Sequence, residues 1–225
     1  MTPPLPRSTS TPLQRHLDGA SATRPTAIDA FRAARSDFLA GDRIDMQSLA
    51  RELNVDRATL YRWVGSRERL LTAILWSLIE PTIATLRSTH SDLAERADPH
   101  RSPAAAIFNG LVRAVNTNTG MQHFIDREGE LALRLLTTKA SDFEARLIRV
   151  VSEVLEQESA AGRLHSPIPS DDLPYVLVRV MESYTYLGLI TGDRPDMDRC
   201  ARVVDALLPE RREVTPPDSR KGGTP

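Results

Sequence analysis

The stretch 44–71, IDMQSLARELNVDRATLYRWVGSRERLL, constrains the fold of this chain more than any other segment. Its apolar spacing predicts one short helix over 45–53 and a second over Arg57–Val64, joined by the link Asn54-Val55-Asp56. Asp56 suits the start of the second helix because its carboxylate can accept a hydrogen bond from a first-turn amide. Two short helices joined by so short a turn predict a helix-turn-helix, whose second helix fits the major groove of B-form DNA.

The packing requirements of this motif are met by the residues between and beneath the two helices. Ala50 is small where the helices should cross closely. Asn54 occupies the turn position that needs a positive φ, which asparagine tolerates better than most residues. The side chains predicted to face a small three-helix core are Leu49, Leu53, Val55, Leu60 and Val64.

The opposite face of the second helix has residues that suit contact with DNA: Arg57, Ala58, Thr59, Tyr61, Arg62 and Trp63. Arginine can bond a guanine through two hydrogen bonds, alanine can pack on a thymine methyl group, and hydroxyls can reach phosphates. Over 41–70, six arginines stand against five acidic residues, so affinity depends on where the arginines point. The alternative interpretation is a solvated face on a generic helical bundle.

The rest of the chain predicts an all-α architecture of about nine helices. A helix containing Ile28 and Phe38 should end before Gly41, and a long helix should begin at Ser66 and be kinked or ended by Pro81. After a polar stretch, 90–102, further helices are predicted over 103–118, 121–137, 141–161, 171–191 and 196–208. The proline-rich segments 1–25 and 209–225 are expected to be disordered arms. We expect a DNA-binding domain over 26–75 and a ligand-binding and dimerisation domain over 76–208.

Composition excludes several classes of protein. The 225 residues include 29 basic and 30 acidic side chains, a net charge of −1, which argues against a nonspecific nucleoid-type DNA binder. No apolar run approaches the ~20 residues of a membrane span and no signal peptide is evident, so we expect a cytoplasmic protein without membrane contact. The single cysteine, Cys200, cannot form an internal disulfide and is expected to be buried.

The signatures of catalysis and of metal binding do not occur. The five histidines never stand at HxxxH or HExxH spacing, and no GxSxG, P-loop or strand-linked GxGxxG motif is found. We therefore predict no catalytic residue, no metal and no cofactor.

The run ATLYRWVGSRERLLTAIL, after a helix of the form SLARELNV, resembles the DNA-binding domain of the TetR family of bacterial transcription regulators over about residues 28–80. The resemblance implies a homodimer with a C-terminal helical domain that binds a small effector. It also implies base-reading roles for Gln47, Arg57, Ala58 and Arg62, and phosphate contacts for Thr59, Tyr61, Trp63 and Arg67. Arg67 lies in the first turn of the long helix, whose free amides favour an anion. The sequence departs from the family pattern at Asn54, where glycine is usual, and at Trp63, where histidine or tyrosine is common.

The C-terminal half resembles the QsdR-type subgroup of that family, regulators associated with the degradation of quorum-sensing lactones. The phrases concerned are ALRLLTTKA (132–140), AAGRL (160–164) and DDLPYVLVRVMESYTYLGLITGDRPD (171–196). The resemblance implies an effector of the γ-lactone class, such as an acyl-homoserine lactone.

A ligand site between helices should be mostly apolar with a few polar groups that orient the ligand. Glu182 and Arg134 are the candidate polar anchors, although Glu182 could instead pair with Arg179 or with Arg134. The candidate apolar lining residues, each of which could instead be ordinary core, are Trp76, Phe108, Leu111, Phe124, Leu133, Val178, Met181 and Tyr184.

Of the last two predicted helices, the first is apolar on more than one face and the second has one apolar stripe, so these faces are buried either within one chain or in a four-helix interface between two chains. The resemblance to the TetR family implies the dimer. The apolar residues concerned are Leu173, Val176, Leu177, Val180, Tyr184, Leu187, Leu189, Cys200, Ala201, Val204, Leu207 and Leu208. The sequence thus predicts a repressor released from a pseudo-palindromic operator by a small hydrophobic effector. An activator or an effector-independent regulator is the first alternative, and a helical enzyme with an incidental helix-turn-helix is the second.

Overall fold

A computed structural model describes residues 24–97, 103–139, 141–164 and 166–209. All regular secondary structure in these residues is helical, which confirms the all-α prediction. The ten helices are α1 (Ala27–Ala40), α2 (Met46–Glu52), α3 (Arg57–Val64), α4 (Arg67–Ala97), α5 (Ala104–Thr117), α6 (Thr119–Thr137), α7 (Phe143–Ala160), α8 (Leu173–Thr185), α9 (Leu187–Ile190) and α10 (Met197–Leu207). The arms expected at 1–25 and 209–225 lie outside the described residues except for residues 24, 25 and 209.

The predicted helix-turn-helix is present in α2 and α3. Asn54 has a φ of 52° and is the one residue other than glycine with a positive φ in the described part of the chain. The amide of Val55 donates to the carbonyl of Ala50 at 3.0 Å, which closes α2 with the hydrogen bond of a Schellman motif. Asp56 caps α3 as predicted, since its Oδ1 accepts from the Thr59 amide at 2.8 Å. The positive φ of Asn54 confirms the prediction that asparagine takes the turn position that is usually glycine.

Helix α4 is longer than the sequence predicted. It contains Pro81 without ending there and continues through the stretch expected to be polar linker as far as Ala97. Ile79 and Ile83 flank the proline and are both 5% exposed, so burial on either side holds the helix together where Pro81 removes a backbone donor. By length and composition, 67–90 could also cross a membrane, but its apolar side chains Leu71 and Ile74 lie in the protein core.

The C-terminal helices follow the predicted boundaries with two differences. The helix predicted over 171–191 is two helices, α8 and α9, because Tyr186 (φ −100°, ψ 13°) interrupts it. Helix α6 contains a break at Glu128 (φ −133°, ψ 39°). Helix α5 packs against α4 and α10, and α7 packs against α8. One continuous apolar core extends from α1 to α10 and includes Cys200, which is buried as predicted.

Candidate DNA-binding interface and effector cavities

The side chains that the sequence assigned to base reading are exposed on α2 and α3. Gln47, Arg57, Ala58 and Arg62 are all exposed, and Tyr61 beside them is 40% exposed. Leu60, on the opposite face of α3, is completely buried. Burial of that face fixes which residues of α3 point outward.

Short-range contacts hold the outer face of α3 in place. Thr59 Oγ1 donates to Asp56 Oδ2 at 2.7 Å and accepts from Arg62 Nη2 at 3.2 Å. The hydrogen bonds from Thr59 hold the pKa of the Asp56 carboxyl below its ordinary value. The guanidinium of Arg57 lies 6.0 Å from the centre of the Tyr61 ring. Thr59 is thus engaged within the helix, while Trp63 is half-buried against the core.

Arg67 is placed differently from the other predicted DNA contacts. Its Nε donates to the carbonyl of Ile44 at 2.6 Å, and its Nη2 lies 2.6 Å from Oε1 of Glu128 in α6. The side chain is only 16% exposed. Because Glu128 is 61 residues away, the spacing around Arg67 gives no indication of this ion pair.

Two apolar cavities lie beside α4 and share Leu111. The first, of about 20 Å³, lies between α4, α5, α7 and α8 and has only apolar lining residues, among them Ile83, Phe108 and Val151. The second, of about 50 Å³, lies between α4, α5 and α6, where Thr82 and Asn118 add polar groups. Both are far smaller than the roughly 300–1,000 Å³ of a small-molecule site, so a ligand can enter only if the surrounding helices move apart.

Of the predicted effector residues, the structure brings Phe108 and Leu111 into these cavities. Trp76 instead packs on Phe143 at 5.0 Å, beneath the Arg146 guanidinium, and Phe124 packs edge-on against Phe38. Among the other predicted residues, Val178 and Met181 are buried core, Leu133 and Tyr184 are half-buried, and Arg134 is exposed near Glu68 at 3.8 Å. These residues lie away from the lining of both cavities.

Glu182 is buried and pairs with Arg179, one of the two partners that the sequence suggested. Its Oε2 lies 2.9 Å from Arg179 Nη1, and Arg179 also pairs with Glu144 of α7. Glu182 Oε1 has no hydrogen-bond partner among the described residues. Burial raises the pKa of Glu182 to about 7, although the charge of Arg179 opposes the shift.

Sequence reasoning missed the contribution of α7 to the first cavity, which is lined by Val150, Val151, Val154 and Leu155. Their helical spacing is the same as that of any core stripe, so periodicity gives no signal of a cavity. In the described part of the chain, no three His, Cys, Asp or Glu side chains are grouped closely enough to hold a metal ion.

Comparison with known proteins agrees with this architecture. Residues 102–209 match the family described as "Tetracyclin repressor-like, C-terminal domain". The structure is similar to that of the R. erythropolis transcriptional repressor QsdR from the TetR family, with 27% identity, a TM-score of 0.67, and coverage of 83% of this chain and 95% of that chain. The chain is thus similar to TetR-family proteins both in its C-terminal part and in its fold.

Two further solved structures are less similar. The multidrug binding protein EbrR, complexed with imidazole, is 22% identical with a TM-score of 0.47, covering 92% of this chain and 98% of that one. AibR, in complex with isovaleryl coenzyme A and operator DNA, is 18% identical with a TM-score of 0.44, covering 81% and 100%. Among curated protein sequences, none matches this chain significantly.

Proposed function

We propose that this chain is a ligand-responsive, DNA-binding transcriptional regulator of the TetR family that represses transcription from a pseudo-palindromic operator. The observation that carries the proposal is the helix-turn-helix of α2 and α3, in which Gln47, Arg57 and Arg62 are all exposed. The similarity of the fold to a TetR-family repressor supports it.

The DNA-bound form that we propose is a homodimer with one α3 in each of two successive major grooves, about 34–36 Å apart. Val176, Val180 and Tyr184 form a half-buried stripe on α8, spaced one helical turn apart, and Val203 on α10 is 36% exposed. Both helices pack against α5 and against each other. We propose that their partly exposed apolar side chains form the interface between two copies. Leu173, Leu177, Cys200, Val204 and Leu208, also predicted for this interface, are buried within the single chain.

The proposed link between effector and DNA is α4. It starts at Arg67, beside the helix-turn-helix, and its residues Leu75, Leu78 and Ile79 line the second cavity. A ligand in that cavity contacts the helix that supports α3, so effector and operator affinities are coupled reciprocally. The apolar linings suit a small hydrophobic effector, and the resemblance to QsdR-type regulators suggests a γ-lactone or acyl-homoserine lactone. Such a protein acts in the bacterial cytoplasm.

The first experiment measures fluorescence anisotropy of the protein on its own upstream intergenic DNA, against a scrambled duplex at fixed near-physiological salt. We expect specific binding, with Arg57→Ala and Arg62→Ala each weakening it by about 1–3 kcal/mol, because each removes one base-reading side chain. Arg149→Ala, which removes an exposed arginine of α7, is the matched control and should bind as wild type. Unchanged operator affinity in both α3 variants would contradict the proposal.

The same assay with a panel of γ-lactones tests the effector class. Release of the native duplex by a lactone supports repression relieved by that ligand. Specific binding that no lactone changes rejects the lactone class while keeping the DNA-binding regulator.

A further inference from the structure

Helix α6 consists of two segments that pack against different parts of the protein. The first segment, residues 119–127, lies against α1, where Phe124 packs on Phe38 with ring centres 6.0 Å apart. At the end of this segment, Arg127 Nη1 donates to the carbonyl of Gly41 at 2.9 Å. The second segment, 129–137, places Ala132, Leu135 and Leu136 in the core. The first segment is therefore the part of α6 that contacts α1, while the second contributes to the core and begins beside Leu189 of α9.

Glu128 stands where the two segments meet, at the break in α6, and its side chain is 13% exposed. One carboxylate oxygen lies 2.6 Å from Arg67 Nη2 and the other 3.4 Å from Arg43 Nε. Arg67 starts α4 and also bonds the carbonyl of Ile44, in the connection between α1 and α2. This one carboxylate therefore joins α6 to the start of α4 and to the connection that precedes α2.

The geometry of Arg67 does not suit a direct DNA contact. Two of its nitrogens are committed to protein acceptors at 2.6 Å, and little of the side chain reaches solvent. Releasing them to a phosphate would leave the mostly buried Glu128 carboxylate without its nearest cation, which is costly. Arg43, in contrast, is 72% exposed and holds Glu128 only at the longer distance.

We infer that Glu128 is a positioning residue for operator binding, which fixes the orientation of α2 and α3 through its ion pair with Arg67. Arg67 is then a structural link between α6 and the connection that precedes α2, called a strut below, and not a phosphate ligand. This inference rests on the proposed function. The Glu128–Arg67 contact lies outside both the face of α3 proposed to contact DNA and the apolar cavities. A ligand that shifts α6 would change this contact and so regulate operator binding.

The salt dependence of operator binding separates a strut from a phosphate ligand. Removing one phosphate-neutralising cation reduces the slope of log affinity against log salt by about 0.9. Glu128→Gln, Arg67→Gln and the double variant are compared with wild type by anisotropy over a salt series, on an operator selected from a random duplex library. Wild type and Arg57→Ala are measured first, to test whether the selected operator is bound through α3 as proposed.

For a strut, we expect Glu128→Gln and Arg67→Gln each to weaken binding, by roughly 5- to 150-fold, with the salt slope unchanged. Arg67→Gln should weaken it at least as strongly, because it also loses the hydrogen bond to the Ile44 carbonyl. The double variant should bind no more weakly than Arg67→Gln, because the ion pair is already absent in that variant. A slope reduced by about 0.9 in Arg67→Gln, or tighter binding by Glu128→Gln, overturns the inference, since either result identifies Arg67 as a phosphate ligand that Glu128 holds back.

Arg67→Lys tests the same point without removing the charge. Lysine can still meet a phosphate as a point charge, but it cannot reproduce the two-directional hydrogen bonding of the guanidinium. We expect Arg67→Lys to bind as weakly as Arg67→Gln, and wild-type affinity in Arg67→Lys contradicts the strut.

The matched control is the exposed pair Arg113 and Asp198, which are 3.6 Å apart. Arg113→Gln and Asp198→Asn should leave binding unchanged. Thermal unfolding of every variant identifies any that fails to fold, and Arg67→Lys then provides the test.

If wild type selects no operator, the proposed function fails and not the strut alone. The strut is then tested by whether the decreases in unfolding free energy of the two single variants are non-additive in the double variant.

Discussion

Glu182 is a carboxyl group held inside the helical core with only part of its hydrogen-bonding capacity used. Arg179 contacts one oxygen, Glu144 contacts the same arginine from α7, and the Tyr186 ring is buried in the next turn. Burial outweighs the attraction to Arg179, so the pKa rises from 4.5 to about 7. Folding therefore favours the protonated carboxyl group, and this residue makes stability depend on pH near neutrality.

Because the pKa is higher in the folded protein, the stabilising contribution of Glu182 is fully present below pH 4.5 and is lost as the pH rises through about 7. One pKa unit corresponds to about 1.4 kcal/mol, so between pH 5 and pH 8 the change in unfolding free energy from this residue is on the order of 2–3 kcal/mol. Urea unfolding at pH 5 and pH 8 measures it. We expect Glu182→Gln to lose much less stability than wild type between these values, whereas Glu153→Gln, at an exposed position of α7, should follow wild type. Equal pH dependence in all three proteins would contradict this.

At the scale of elements, the close approach of α6 to α1 depends on Gly120. A Cβ added at Gly120 would lie 2.2 Å from the backbone oxygen of Phe38, which cannot move away as a side chain end could. We expect Gly120→Ala to lower the free energy of unfolding by about 1–3 kcal/mol, the usual range for overpacking. Alanine at Gly188 in α9 is the matched control, because its Cβ would meet only Asp193 O at 3.7 Å. Denaturant unfolding tests both, and a Gly120→Ala protein as stable as wild type would show that α6 can shift from α1 without cost.

The elements also show which features a sequence can predict. The turn at Asn54, the cap at Asp56 and the outward face of α3 were predictable because each depends on residues within one or two helical turns. The length of α4 was not, because the tendency of Pro81 to end a helix is local and the burial of Ile79 and Ile83 that opposes it is tertiary.

The lining of the two cavities was predicted only in part, for a similar reason. Periodicity identifies the apolar face of each helix but does not show which face of another helix it meets. Phe124 and Trp76 were therefore assigned to a ligand site, although they pack against Phe38 and Phe143. The Arg67–Glu128 pair was missed because its partners are far apart in sequence.

At the scale of the whole molecule, two helices connect the helix-turn-helix to the rest of the protein. Helix α4 runs from the helix-turn-helix past both cavities, and α6 reaches back to α1. Leu189 of α9 lies close to Gly129, next to the break in α6, and α9 also contacts α8, one of the two helices that we propose for the dimer interface. A change in either cavity or at that interface can thus reach α3 through packed elements.

The dimer is the part of this proposal that tests the whole molecule. Val203 is 36% exposed on α10, so Val203→Glu should fold normally as a single chain but place a charge in an apolar interface between two copies. We expect light scattering at low micromolar concentration to give a dimer for wild type and a monomer for Val203→Glu. Operator affinity should fall with it, because a monomer engages one half-site. Ile28→Glu, at an exposed apolar position of α1, is the matched control and should remain dimeric. A dimeric Val203→Glu protein would place the interface elsewhere, and a monomeric wild type that still binds a full operator would remove the requirement for two coupled recognition helices.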